Sequence, residues 1–121
     1  MAKEVSVSIS ISAQKNGAGM SATVSSTADM TGNKLIGNVQ SIGTTAEALN
    51  VGDMATIGQL FVKNLDATNF VEIGTDSTVT TGAFAKLLPG EGMYIPARRA
   101  GPYYAKANTA SCDVQVGAAE A

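Results

Sequence analysis

From Glu4 to Ala13 apolar and polar residues alternate without a break: Val5, Val7, Ile9, Ile11 and Ala13 fall on one side, Ser6, Ser8, Ser10 and Ser12 on the other. A period of two predicts a half-buried β-strand. Its serine side holds no charge that would discourage lateral pairing, so the segment is expected either inside a sheet or covered by another chain. Gln14 to Ser21 reads as a glycine-bearing turn, and Ala22 to Met30 as a weaker strand closed by Thr31-Gly32-Asn33. Lys34 to Ile42 predicts a further strand, with Gly37 marking a bulge. Between Thr44 and Leu49 the Thr-Thr pair and the nearby turn at 50–53 favour a short strand over a helical turn.

The centre of the chain, Thr56 to Ile73, reads as a hairpin. Leu60 and Val62 share one face of its first strand, Val71 and Ile73 one face of its second, and Asp66 to Asn69 form the turn, where short polar side chains bond nearby backbone. Gly74 to Gly82 predicts an exposed connection or short edge strand with Val79 as its one large apolar residue. Ala83 to Leu88 is a strand, Pro89-Gly90-Glu91 a tight turn, and Met93 and Ile95 a strand ended by Pro96. Arg98 to Pro102 is an exposed loop. Tyr103 to Ala107 and Asp113 to Val116 are expected to pair with each other, and the last five residues to fray. Eight to nine short strands about ten residues apart predict an all-β, antiparallel sandwich over a single domain, 1–121. An immunoglobulin-like core would call on a tryptophan and a disulfide that this chain lacks, so a jelly-roll or Greek-key arrangement fits better. Residues 1–14 are the candidate partner-pairing strand.

Composition narrows the function classes. The 121 residues carry 8 Lys and Arg against 10 Asp and Glu, a net charge of −2, scattered singly except at Arg98-Arg99. So weak a field argues against a nucleic-acid partner. With no histidine and one cysteine, Cys112, the usual zinc and copper ligand sets cannot be assembled and no internal disulfide can form, so no cofactor is expected. No apolar run approaches the roughly 20 residues of a spanning helix and no signal-peptide core is visible, which predicts cytosolic synthesis and no membrane partner. All six aromatic residues lie between Phe61 and Tyr104, so the first half must pack with aliphatic side chains alone. Thin cores are often completed by partners, and a neighbouring subunit is the expected support for the N-terminal half.

Candidate chemistry is sparse. Gly17 to Ala22 imitates a dinucleotide fingerprint, but a Ser/Thr/Val run follows where a helix should start. Asp53, Asp66 and Glu72 read as turn caps and solvated strand positions rather than a glycosidase pair, and Asp66, Asn69, Glu72 and Asp76 match no calcium loop. Serine nucleophiles lack a histidine base and a Gly-x-Ser-x-Gly elbow. Cys112 reads as a small buried hydrophobe. These readings point to a protein that is not an enzyme. Arg98-Arg99, between two prolines and followed by Tyr103 and Tyr104, has the residue types of a binding hot spot. The candidate partner contacts are therefore Val5, Val7, Ile9, Ile11, Arg98, Arg99 and Tyr103.

Four segments in order, LIGNVQSIGTTAEAL, GQLFVKNLDATNFVEIG, AKLLPGEGMYIPARRAG and YYAKANTASCDVQV, together resemble a family of small all-β structural proteins of tailed bacteriophages. The likeness runs from Leu35 to Val116 and is most specific at KNLDATNFV and LPGE; residues 1–34 add nothing to it. The resemblance implies a virion component without a catalytic site. It points first to a head decoration or cement protein, a homotrimer made in the host bacterial cytoplasm and bound to the major capsid protein on the capsid surface. A neck or tail component and a carbohydrate-binding module are the alternatives.

Overall fold

The computed structural model describes residues 4–77, 79 and 83–121, all β or loop with no helix among them. Backbone contacts divide the chain into two compact units, Met1–Thr31 and Gly32–Ala121. The first is a ribbon of two strands, β1 (Val5–Lys15) and β2 (Ala18–Ala28), paired antiparallel over eleven rungs. The turn is Asn16-Gly17 alone, with φ of 53° and 82°. Positive φ at both central residues is the type I′ geometry that matches strand twist, and Asn-Gly is its favoured sequence. The turn is thus two residues long, not the eight expected, and Gly19 to Ala22 belong to β2.

The second unit has eight strands: β3 (Leu35–Ile42), β4 (Glu47–Ala48), β5 (Ile57–Asn64), β6 (Val71–Gly74), β7 (Ala83–Leu87), β8 (Gly92–Ile95), β9 (Tyr104–Ala107) and β10 (Cys112–Glu120). They form two four-stranded antiparallel sheets, ordered β3-β10-β5-β8 and β4-β9-β6-β7. Four of the pairings are nested: β3 with β10, β4 with β9, β5 with β8, and β6 with β7. The chain from 35 to 120 therefore runs as one long hairpin with β6–β7 at its tip. The pairs β10·β5 and β9·β6 join its turns laterally.

Alternation supplies one core from both sheets. Ile42, Leu60, Val62, Cys112, Val114, Val116 and Ala118 come from the first sheet, and Val71, Ile73, Leu87, Ala105 and Ala107 from the second, all buried. Ile57 joins them although it is an odd number of residues from Leu60, because a bulge opposite Ala119/Glu120 inserts Gly58 as an extra residue. A Cβ on Gly58 would press against Ala121.

Five further expectations are corrected. Thr56 to Ile73 is not a hairpin: β5 and β6 lie in different sheets, and 65–70 is a corner between them. The signals coincide because both strands turn an apolar face to the same core, and a polar turn serves a corner as well as a hairpin. β9 and β10 likewise occupy different sheets and do not pair. Gly37 makes no bulge; it sits in regular register opposite Gly117. The C-terminus is not frayed, since β10 runs to Glu120, Ala118 and Ala119 are buried, and Ala121 accepts from the Gly32 amide at 2.8 Å and donates to the Thr56 carbonyl at 3.0 Å. Val79, expected on an exposed connection, is buried; the neighbouring positions 78 and 80–82 lie outside the described residues.

Candidate interaction surfaces

In an antiparallel pair the residues opposite one another share a face. On the ribbon, Val5, Val7, Ile9, Ile11 and Ala13 therefore stand beside Ala28, Ser26, Val24, Ala22 and Met20. The other face pairs Ser6 with Thr27, Ser8 with Ser25, Ser10 with Thr23 and Ser12 with Ser21. One face is apolar for nearly its whole length and the other is almost wholly hydroxyl. Ile11, Met20 and Val24 are each more than half exposed, while Val5, Val7 and Ile9 are half-buried. Among the 22 strand residues Lys15 alone is charged, and it sits at the turn. At the open end the Glu4 carboxylate accepts from the Met30 amide at 3.0 Å.

A second surface lies on the outward face of the first sheet of the sandwich. Register sets Gly37, Gly117, Phe61 and Tyr94 in one row across β3, β10, β5 and β8. The two glycines leave a floor without side chains, flanked along β3 by Leu35, 72% exposed, and Val39, 60% exposed. Phe61 is also exposed, and the Tyr94 hydroxyl is held by the Gln59 side chain. Sequence reading missed this patch. Its signal was present in the alternation of Leu35, Gly37 and Val39 against Ile36 and Ile42, but both sets are apolar and their faces could not be ranked.

The arginine loop is exposed, as expected, but Tyr103 beside it is not. Arg98 and Arg99 are exposed, Arg98 with φ of 46°, and Arg99 is pinned by a bridge to Ile57 through paired backbone bonds of 2.8 and 3.0 Å. Tyr103 is in the core at 5% exposure. Its ring meets Phe84 edge-on at 6.3 Å and lies 5.7 Å from the Arg99 guanidinium. Arg99 of the loop and Phe84 of β7 thus lie at the surface against a buried tyrosine. Val5, Val7, Ile9 and Ile11 come together on one face, as their spacing required.

The carboxylates act on backbone. Asp66 Oδ2 accepts from the amides of Asn69 at 2.7 Å and Thr68 at 2.9 Å, and these bonds hold its pKa below the usual carboxylate range. Asp53 is lowered by its hydrogen bond and ion pair with Lys34, 3.2 Å away. Burial pushes the Cys112 thiol up, reinforced by the negative charges of Asp66 and Asp113. Among the described residues no three His, Cys, Asp or Glu side chains are grouped to hold a metal ion, and no helix is long and apolar enough to cross a membrane. No family model, curated protein or solved structure matches this chain.

Proposed function

We propose that this chain is a structural subunit of a tailed-phage virion that works by assembling with copies of itself and with a larger protein surface. The observation that carries the reading is the ribbon: eleven rungs, one charge, and an apolar face that leaves Ile11, Met20 and Val24 more than half exposed. An isolated two-stranded ribbon is marginally stable at best in water. Ile11, Met20 and Val24, each about half exposed, stand to gain about 1 kcal/mol apiece on full burial and the more covered Val5, Val7 and Ile9 less, or roughly 4 kcal/mol per chain. A gain of that size favours an oligomer.

The sandwich supports the same reading. Eight strands in two sheets with nested pairing are the features of a jelly roll, an architecture common among capsid proteins. The segments that carry the phage resemblance take structural roles: Asn64 and Asp66 fix the corner after β5, and Glu91 Oε1 accepts from the Leu88 amide at 2.8 Å to close the turn before β8. Within the virion the first reading is a capsid decoration protein bound between major capsid subunits, with the Leu35, Val39 and Phe61 patch as a surface for that contact. The test is to mix purified protein with preformed capsids lacking it. Co-sedimentation with heads and a rise in their resistance to heat are expected, whereas association with tails alone would assign it to the neck or tail. Phe61 and Tyr94, adjacent over the glycine floor, favour a second reading as a carbohydrate-binding surface, which a glycan array would detect.

A further inference from the structure

We propose that three copies of the β1–β2 ribbon close into a six-stranded antiparallel barrel, with β1 of each copy pairing with β2 of the next and the apolar face turned inward. This rests on the self-assembling reading above and names its partner as a second and a third copy of this chain.

Four observations point to it. First, among the described residues β1 and β2 pair only with each other, so each presents an outer edge eleven residues long, roughly 35 Å. Lys15 and Ala18 close a two-residue turn as a hydrogen-bonded pair. Alternation along the ladder then turns the amides of Ser6, Ser8, Ser10 and Ser12 outward, away from the partner strand. Second, the usual protections of an edge are missing: between Val5 and Ala28 there is no proline, no bulge and no charge other than Lys15. Closing the sheet on itself removes both edges at once, which stacking two ribbons face to face would not. Third, the faces divide nearly as a thin barrel requires, with hydroxyls outside and aliphatic groups inside apart from Ser26 and from Lys15, whose long side chain lies at the turn end where the ammonium reaches solvent.

Fourth, the inner rungs limit the diameter. They read Val5/Ala28, Val7/Ser26, Ile9/Val24, Ile11/Ala22, Ala13/Met20 and, at the turn end, Lys15/Ala18, so five of the six set a large residue against a small one. Eight strands give an interior that side chains just fill, and diameter grows roughly linearly with strand number. Half-sized rungs therefore suit fewer than eight strands. Ribbons contribute strands in pairs, and four strands leave no room for Ile9, Ile11 and Met20. Six strands, hence three chains, remain.

The test uses the full-length purified chain. Sedimentation should give a mass of three chains, and the amides of Ser6, Ser8, Ser10 and Ser12 should exchange on the order of a hundredfold more slowly than in Ile9→Asp. Ile9→Asp should sediment as a monomer with the exchange protection of β5 and β10 unchanged, whereas Ser10→Asp, on the outer face, should remain trimeric. A monomer or dimer in the native chain, or rapid exchange at the four serine amides, overturns the barrel. Flotation of the native chain with phosphatidylcholine–phosphatidylglycerol vesicles would also overturn it, because the apolar face would then point outward. A trimer that ignores capsids leaves the barrel standing and removes the decoration reading; a monomer that binds capsids does the reverse.

Discussion

Asn64 is the last residue of β5, fully buried, and the test case for how the two sheets are joined. Its side-chain amide donates to the carbonyls of Asn69 at 2.9 Å and Leu87 at 3.0 Å, and its side-chain oxygen accepts from the Asp66 amide at 2.9 Å. One side chain thus ties the end of β5 to the corner at 65–70 and to the end of β7 in the opposite sheet. Asn64→Ala removes all three bonds. At about 1 kcal/mol net per bond the loss is roughly 3 kcal/mol, and it grows if the buried Leu87 carbonyl finds no replacement donor. The neighbouring Leu65, 43% exposed, provides the control: Leu65→Ala should cost well under half as much. Urea denaturation followed by circular dichroism at one fixed protein concentration measures both, the fixed concentration being needed if the chain associates. A loss below about 1 kcal/mol for Asn64→Ala with an unchanged denaturant slope would show that water or the backbone holds the corner without this side chain.

Asp66 gives a pH dependence whose sign is set by its lowered pKa. A carboxylate depressed in the fold stabilises above its unfolded value near 3.9, and the contribution is lost as pH falls through the lower folded value; the stability difference between native chain and Asp66→Asn should be level above about pH 5 and change only below about pH 4. Gly32→Ala should cost about 1–2 kcal/mol, because its Cβ meets the Glu120 side chain, whose carboxylate accepts from the amides of Asn33 at 3.1 Å and Ala55 at 3.3 Å. Combined with Glu120→Ala the two losses should add to less than their sum by thermal denaturation, since both break one contact. Leu35→Asp with Val39→Asp should leave the sedimentation coefficient unchanged and reduce co-sedimentation with capsids at least tenfold; full binding by the double variant would exclude this patch.

The strands were legible in the sequence because period-two alternation depends only on one face being buried. Val114 and Val116, or Val5 to Ile11, declare themselves in any β architecture. Which strands pair was not legible. β5 and β6 are near neighbours in sequence with a polar turn between them, so a hairpin is the local inference. The chain instead prefers to send β5 to β10 and β8, and β6 to β7 and β9, because both apolar faces are then buried against each other rather than side by side. The buried C-terminus was hidden for a related reason: Gly117, Ala118 and Ala119 look like a tail by composition, yet Ala118 and Ala119 are buried and the backbone at Ala121 lies so close to β5 that only a glycine fits at position 58. At the surface, Tyr103 looked like a hot-spot residue by type, and only packing against Phe84 and Arg99 shows it to be internal.

The two units also differ in what fixes their register. In the sandwich a slip of one residue between β10 and β5 would carry Val114 and Val116 out of the core, so burial locks the pairing. In the ribbon the Asn16-Gly17 turn sets the register locally, and both faces hold residues of nearly uniform kind along their length, so a slip of two residues exchanges one serine or aliphatic neighbour for another. Such a strand pair is weakly specified from its open end. The uneven rungs supply the missing constraint once copies associate. Of the rungs from Val5 to Ala13, four set a large residue against a small one in the observed alignment and only two do so after a slip of two residues, so a neighbouring ribbon packed against them favours the observed alignment. On the proposed arrangement, assembly does more than bury the apolar face: it selects the register that the ribbon alone holds only at its turn.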